Sequence, residues 1–239
     1  MRVAWKTDKG EKKSVNEDAV LVDEDAGLYL LADGMSGPRA GRVASRLAVR
    51  KAHAFLLKER LEKVRDDEIL PLLNQALEHA HAEVQKASRK RGALRGMGTT
   101  LIVLCIRNEA AYLSHVGDSR AYLDRKGKLA QITTDHTMDY GIDQDVMIRE
   151  LFFFHNARVL SQAIGPSKTV VCDGHRVDLL PGDIILLCSD GLTDMLSDRA
   201  IEDLLKDHGD DIERSTALLV EAANRMGGKD NISVILIAW

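Results

Sequence analysis

The chain has 239 residues, 45% of them hydrophobic and 29% charged, enough for one substantial domain with a well-buried core. Those proportions exclude a disordered, fibrous or disulfide-stapled chain. The net charge of −4 argues against nucleic acid as a partner, since neutralising phosphates wants an excess of Lys and Arg on some face.

Short β-type runs open the chain at Met1–Thr7, Ala19–Asp23 and Leu28–Ala32. Two helical patterns follow. Gly41–Val64 repeats apolar residues at Val43, Leu47, Ala48 and Ala54 to Leu57, with Arg and Lys between them. Asp67–Lys90 places Ile69, Leu73, Ala76, Leu77, Ala80, Val84 and Ala87 on one face, and Pro71 falls near its start, where proline is tolerated. From Gly98 the period changes to that of strands, at Gly98–Ile106, Ala110–Val116, Arg120–Asp124 and Lys128–Ile132. Thr134–Arg158 reads as irregular to helical and carries the apolar cluster Leu151–Phe154. Strands return at Val170–Leu180 and Asp183–Cys188. Helices fit Asp198–Asp207 and Asp211–Met226, each opening on an acidic residue suited to cap it, and a last strand fits Ile232–Ala238.

No repeat or linker interrupts this order, so residues 1–239 read as a single domain. Strands and helices come in blocks and do not alternate, which is an α+β order. Two packed antiparallel sheets with helices outside satisfy it. The opening residues are charged and carry no signal-peptide core, and no apolar run is long enough to span a bilayer. Cys105, Cys172 and Cys188 each sit in or beside an apolar, β-rich run, as reduced core residues of a cytoplasmic protein would.

Four β-type runs share one local design, in which an acidic residue stands at the run's end beside a small residue or turn. They carry Asp33-Gly34, Asp118, Asp190-Gly191 and Asp230-Asn231. Taken singly, an Asp-Gly is more often a plain turn. Several such rims brought together would concentrate negative charge that cations must offset, and hard oxygen donors of this kind suit Mg²⁺ or Mn²⁺. Spacing alone does not show that the four converge.

The motifs that carry a wider likeness run in order through nearly the whole chain. They are Asn16-Glu17-Asp18, Ala32-Asp33-Gly34-Met35-Ser36-Gly37, Gly41 with Val43-Ala44-Ser45, Gly98-Thr99-Thr100 and His115-Val116-Gly117-Asp118-Ser119-Arg120. Further on come Thr134-Asp135-His136, Ala163-Ile164-Gly165, Cys188-Ser189-Asp190-Gly191-Leu192 and Gly227-Gly228-Lys229-Asp230-Asn231. In these the chain resembles the metal-dependent protein phosphatases (PPM, or type 2C), particularly their compact bacterial members.

The resemblance implies a four-layer α-β-β-α sandwich with two Mn²⁺ or Mg²⁺ ions at one edge of the paired sheets, and a third, weaker metal. It implies that Asp33 bridges the two metals, that the Gly34 carbonyl binds one, and that Asp190 and Asp230 bind the other. Glu17 would contact the cluster directly or through water, Asp118 with Asp190 would hold the third metal, and Asn231 would support the ligands. A hydroxide bridging the metals would attack phosphorus in line, with no covalent phosphoenzyme.

Two departures from the family pattern matter. Many relatives place a phosphate-gripping arginine four residues before the glutamate, where this chain has Lys13; lysine keeps the charge and loses the two-pronged grip. Relatives often read Gly-Glu where this chain reads Gly41-Arg42. The segment 137–159 diverges most, near where family members carry a mobile flap that bears on substrate choice. The eight histidines form no metal-ligand pattern, and His136 is expected to order its loop. The implied function is a serine/threonine protein phosphatase, a monomer acting on phosphoproteins against a bacterial Ser/Thr kinase. The alternative is a pseudophosphatase that binds phosphoproteins without turnover.

Overall fold

The computed structural model describes residues 1–37, 39–90, 92–138 and 159–239. One five-stranded antiparallel sheet has the order β1-β14-β13-β8-β9, built from β1 (Arg2–Asp8), β8 (Arg120–Asp124), β9 (Leu129–Gln131), β13 (Ile184–Cys188) and β14 (Ile232–Ala238). The other has the order β12-β7-β6-β3-β2, from β2 (Ala19–Asp23), β3 (Leu28–Ala32), β6 (Leu101–Arg107), β7 (Ala110–Val116) and β12 (Asp173–Asp178). Two-residue ladders join β4 (Gly34–Met35) to β5 (Gly98–Thr99) and β10 (Thr137–Met138) to β11 (Val159–Leu160).

Alternation along the strands sorts side chains into three apolar layers. Tyr29, Leu31, Ile102, Leu104 and Leu113 of one sheet meet Ile185, Leu187, Ile235 and Ile237 of the other between the sheets. Leu28, Leu30, Leu101 and Val103 face outward against α1 (Ala40–Lys58) and α2 (Asp66–Lys90). Leu186, Cys188, Val234 and Leu236 face the other way, against α4 (Asp198–His208) and α5 (Ile212–Arg225). Four layers result, helix, sheet, sheet, helix, as expected. Strands buried on both faces explain why β13 reads as an unbroken apolar run and β14 as one interrupted only by Ser233.

Local corrections to the sequence reading are small. The first long helix ends at Lys58, and Leu61–Lys63 is a separate 3₁₀ turn entered through Arg60 at φ 54°. Ser197, not Asp198, caps α4, its hydroxyl accepting from the Ala200 amide at 3.3 Å. Asp211 caps α5 as expected, accepting from Arg214 N–H at 3.0 Å. A one-turn helix, α3 (Asp190–Thr193), follows β13 and was not anticipated. The Leu151–Phe154 cluster and most of the 137–159 segment lie outside the described residues.

Register decides where the strand ends fall. Ala19 pairs with Ala32, Leu101 with Val116 and His115 with Asp173, so the start of β2, the end of β3, the end of β7 and the start of β12 share one edge. In the other sheet Cys188 pairs with Arg120 and Val234, and Asp8 with Ile232, which brings the end of β13 and the starts of β8 and β14 together. The chain passes from β7 to β8 through Gly117-Asp118-Ser119, so both sheets present these ends on the same side. Leu187 lies fully buried between the sheets. Leu187→Ala should cost about 3 kcal/mol of unfolding free energy by urea titration, from lost burial plus the cavity left behind.

Candidate active site

Each acidic residue singled out in the sequence stands at that common edge. Glu17 and Asp18 lead into β2, Asp33 follows β3, Asp118 follows β7, Asp190 follows β13, and Asp230 lies just before β14. The backbone of Asp33 is held from two sides. Its N–H donates to Thr100 Oγ1 at 2.9 Å, while its carbonyl accepts from Thr99 Oγ1 at 2.6 Å and from Thr100 N–H at 2.9 Å. Thr100 Oγ1 also shares a hydrogen bond with Ser119 Oγ at 2.7 Å, which links the Asp33 turn to the residue beside Asp118.

Gly34 and Gly41 are glycine because backbone meets backbone here. A Cβ on Gly34 would lie 2.3 Å from the Gly41 carbonyl oxygen, and one on Gly41 would lie 2.3 Å from Glu17 Oε1. Helix α1 therefore starts directly against the carboxylates. Asn231 fastens the opposite wall. Its Oδ1 accepts from Glu17 N–H at 2.8 Å, and its Nδ2 donates to the Lys9 and Val15 carbonyls at 2.9 and 3.0 Å. The loop that carries Lys13 is thereby tied to β14, and Lys13 Nζ sits 2.7 Å from Asp230 Oδ1 at the half-exposed rim.

Asp18, given no role in the sequence reading, is central to the architecture. Its Oδ2 accepts from Ser233 Oγ at 2.6 Å and Ser189 Oγ at 2.9 Å, so a residue leading into one sheet is bonded to both neighbouring strands of the other. Asp194 was also missed. It follows α3 one turn after Asp190, and its charge bears on both Asp190 and Asp118. The available signal was the four-residue spacing, which puts two carboxylates on one helical face.

Crowding shows in the ionisation of these groups. Burial, then the neighbouring charges of Asp18 and Asp190, push the Asp33 carboxyl well above the usual range. Burial and the charge of Asp118 raise Asp190 to about 8. Asp18 is raised to about 6 by burial, in spite of its two hydroxyl donors. Burial also raises Asp118 and Glu17. Burial opposes the Lys13 charge, but the hydrogen bond to Asp230 and the charges of Asp230, Glu17 and Asp33 outweigh it and raise its pKa.

Buried Glu17 Oε1, Asp18 Oδ1 and Asp190 Oδ1 have no hydrogen-bond partner. Carboxylate oxygens left unsatisfied, mutually repelling and difficult to ionise, fit hard divalent cations. The donor set is all oxygen, which suits Mg²⁺ or Mn²⁺.

A second group of metal-type side chains lies behind Asp118. Ligand atoms of His115, His136 and Asp173 fall within 4.8 Å of one another, a grouping created by the β7–β12 register and invisible in the sequence. The His115 and His136 rings are stacked at 4.7 Å with planes 29° apart, so their in-plane lone pairs do not converge on one point. His136 acts as a tie instead. Its Nδ1 accepts from Gly117 N–H at 3.3 Å, its Nε2 faces Asp173 Oδ2 at 3.0 Å, and its carbonyl accepts from Ser161 N–H at 2.8 Å. Burial raises the Cys105 thiol to about 11 and those of Cys172 and Cys188 to about 12, so none is a thiolate nucleophile near neutral pH.

This arrangement of two packed sheets is that of a known family. The model of the family described as protein phosphatase 2C matches residues 7–231, and the chain belongs to that family, the metal-dependent serine/threonine protein phosphatases. The chain is 33% identical to the serine/threonine phosphatase Stp of Listeria monocytogenes, over 99% of this chain and 95% of that protein. The crystal structure of the Mycobacterium tuberculosis serine/threonine phosphatase PstP superimposes with a TM-score of 0.82 at 33% identity, covering 98% of this chain and 97% of that one. A structure of the PstP catalytic domain in complex with two manganese ions superimposes with a TM-score of 0.80 at 32% identity, over 98% and 96% of the two chains. Among the described residues, no helix is long and apolar enough to cross a membrane.

The raised carboxyls make metal-free stability depend on pH. Asp18, Asp33 and Asp190 hold protons in the folded state that they release near pH 3.8 when unfolded. The folded chain therefore binds the extra protons, and its stability falls as pH rises from about 4 to about 8. Differential scanning fluorimetry in chelator should show the midpoint falling across that range. Asp190→Asn should flatten the slope and raise the midpoint at pH 8, and added Mn²⁺ should stabilise the wild type more at pH 8 than at pH 5.5.

Proposed function

We propose that residues 1–239 form a single catalytic domain that hydrolyses phosphoserine and phosphothreonine esters at this cleft, with two Mn²⁺ or Mg²⁺ ions as cofactors. The observation that carries the reading is the convergence of Glu17, Asp33, Asp190 and Asp230 at the common edge of the two sheets, with buried oxygens of Glu17 and Asp190 that lack partners. In this reading Asp33 and the Gly34 carbonyl, with Asp190, Asp230 and Glu17, hold the two cations, and Asp118 with Asp190 holds a third, weaker one. Bound there, the cations supply a water acidified toward neutral pH and positive charge against the phosphoryl oxygens.

The protein's own groups do the rest. Asp33 is fixed through its backbone by Thr99 and Thr100, which pre-positions its carboxyl at the cleft. Asn231 holds Glu17 and the Lys13 loop in register with Asp230. An ammonium has three donors. Lys13 directs one at Asp230 and, from its half-exposed position, can offer the others to a phosphoryl oxygen. It does so as a point charge, without the paired hydrogen bonds an arginine would give. The physiological setting that fits is a monomeric cytoplasmic phosphatase acting on phosphoproteins against a Ser/Thr kinase.

Release of phosphate from a phosphothreonine peptide should require Mn²⁺, cease in chelator, and fall by at least about a hundredfold in Asp190→Asn. Full turnover in chelator would refute the metal-dependent reading. Lys13→Arg should lower KM several-fold with kcat little changed, and an unaltered KM would remove Lys13 from the phosphate contact.

A further inference from the structure

Helix α1 runs from Ala40 to Lys58 without one acidic residue. Arg39, at its N-cap, and Arg42, Arg46 and Arg50 are all exposed. Their spacing of three, four and four residues lines them along a single outer stripe. The opposite face carries Ala44, Ser45, Ala48, Val49 and Ala52 into the core. Among the described residues none of these four arginines has an ion-pair partner, and Arg50 Nε spends one donor on the Arg46 carbonyl at 3.0 Å. By contrast Lys51, on the flank, is committed to Glu83 at 2.9 Å. In a chain of net charge −4, such a stripe of unpaired arginine is a local reversal of sign.

Its position gives it a use. Gly41 lies against Glu17 and Gly34, so Arg42 stands one residue from the cleft and the stripe leads away from its mouth. Arg42 to Arg50 spans eight residues, about 12 Å of helix. An extended peptide covers about 3.3 Å per residue, so the same length corresponds to about four residues.

We propose that the Arg42–Arg46–Arg50 stripe is a docking surface for acidic side chains within about four residues of the phosphorylated residue in the substrate. The proposal rests on the phosphatase reading, because the phosphoresidue in the cleft fixes where its flank must run. The arginine fork matches a carboxylate, and an acidic flank repelled by the carboxylates of the cleft gains compensating charge outside it. A single exposed pair is worth a factor of roughly two to five, so selectivity comes from the row and falls with salt.

The test uses two phosphothreonine peptides that differ only in having Asp/Glu or Asn/Gln at the four positions on either side. Rates with Mn²⁺ and binding by fluorescence anisotropy are measured for wild type, for Arg46→Glu/Arg50→Glu and for Arg46→Gln/Arg50→Gln. The wild type should favour the acidic peptide about tenfold in kcat/KM, mainly through KM, and bind it more tightly. The neutral pair of substitutions should remove most of that preference and the charge reversal should invert it. Hydrolysis of p-nitrophenyl phosphate, too small to reach the stripe, should be unchanged in both variants. Equal handling of the two peptides by the wild type, or a preference that survives charge reversal, overturns the proposal. Tighter binding of single-stranded DNA or phosphatidylglycerol vesicles than of the acidic peptide overturns it too. Absence of turnover on every ester would instead refute the phosphatase reading, and the anisotropy comparison would still decide the docking surface.

Discussion

The structure is organised around a repulsion. Asp18, Asp33, Asp190 and Glu17 are packed at the edge of the sandwich, each withdrawn from water, and the charges of Asp18 and Asp190 raise the cost of ionising Asp33. A cluster of this kind persists only because the rest of the fold over-determines it. The apolar layer between the sheets sets their alignment, and a dense set of hydroxyl and amide bonds holds the turns that carry the acids. Thr99 and Thr100 grip the Asp33 backbone, Asn231 grips the Glu17 turn, and Ser189 and Ser233 close on Asp18. Motifs that look like separate small polar clusters in the sequence are parts of one clamp.

Pattern and period made most of the strands legible. Ala19–Asp23, Leu28–Ala32, Ala110–Val116, Arg120–Asp124 and Ile232–Ala238 fall where apolar runs bounded by turn residues put them. The long helices are as clear, because one apolar face repeats for several turns. What the sequence hides is everything set by partners far along the chain. No local signal places Asp18 against Ser189 and Ser233, or Asp173 opposite His115, since strand register is a property of pairs. The two-residue ladders at Gly34–Met35 and Thr137–Met138 are too short to have a period. Convergence of the carboxylates, the fact on which the chemistry turns, came from resemblance before it came from geometry.

Departures from the family pattern gain meaning once they have positions. Lys13 is a rim cation that rests on Asp230. Gly41-Arg42 places the end of an unpaired basic row beside the cleft. Both changes concern what approaches from outside, while the clamp on Asp33 and Asp18 lies within. On the proposed readings, selectivity and chemistry are carried by different parts of the chain and can vary separately.

The clamp also has a bearing on the order of assembly. Glu17 and Asp33 belong to one sheet, Asp190 and Asp230 to the other, and the turn before β14 supplies Asp230. That strand is the last in chain order, yet it lies between β1 and β13. A nascent chain can form the β2–β3–β6–β7 half from neighbouring segments, but it cannot complete the carboxylate cleft until β14 has paired between the first strand and the thirteenth. Non-local pairing of this kind is slow. In the proposed reading, metal capture is therefore a late checkpoint, passed only by molecules whose two sheets have docked in register.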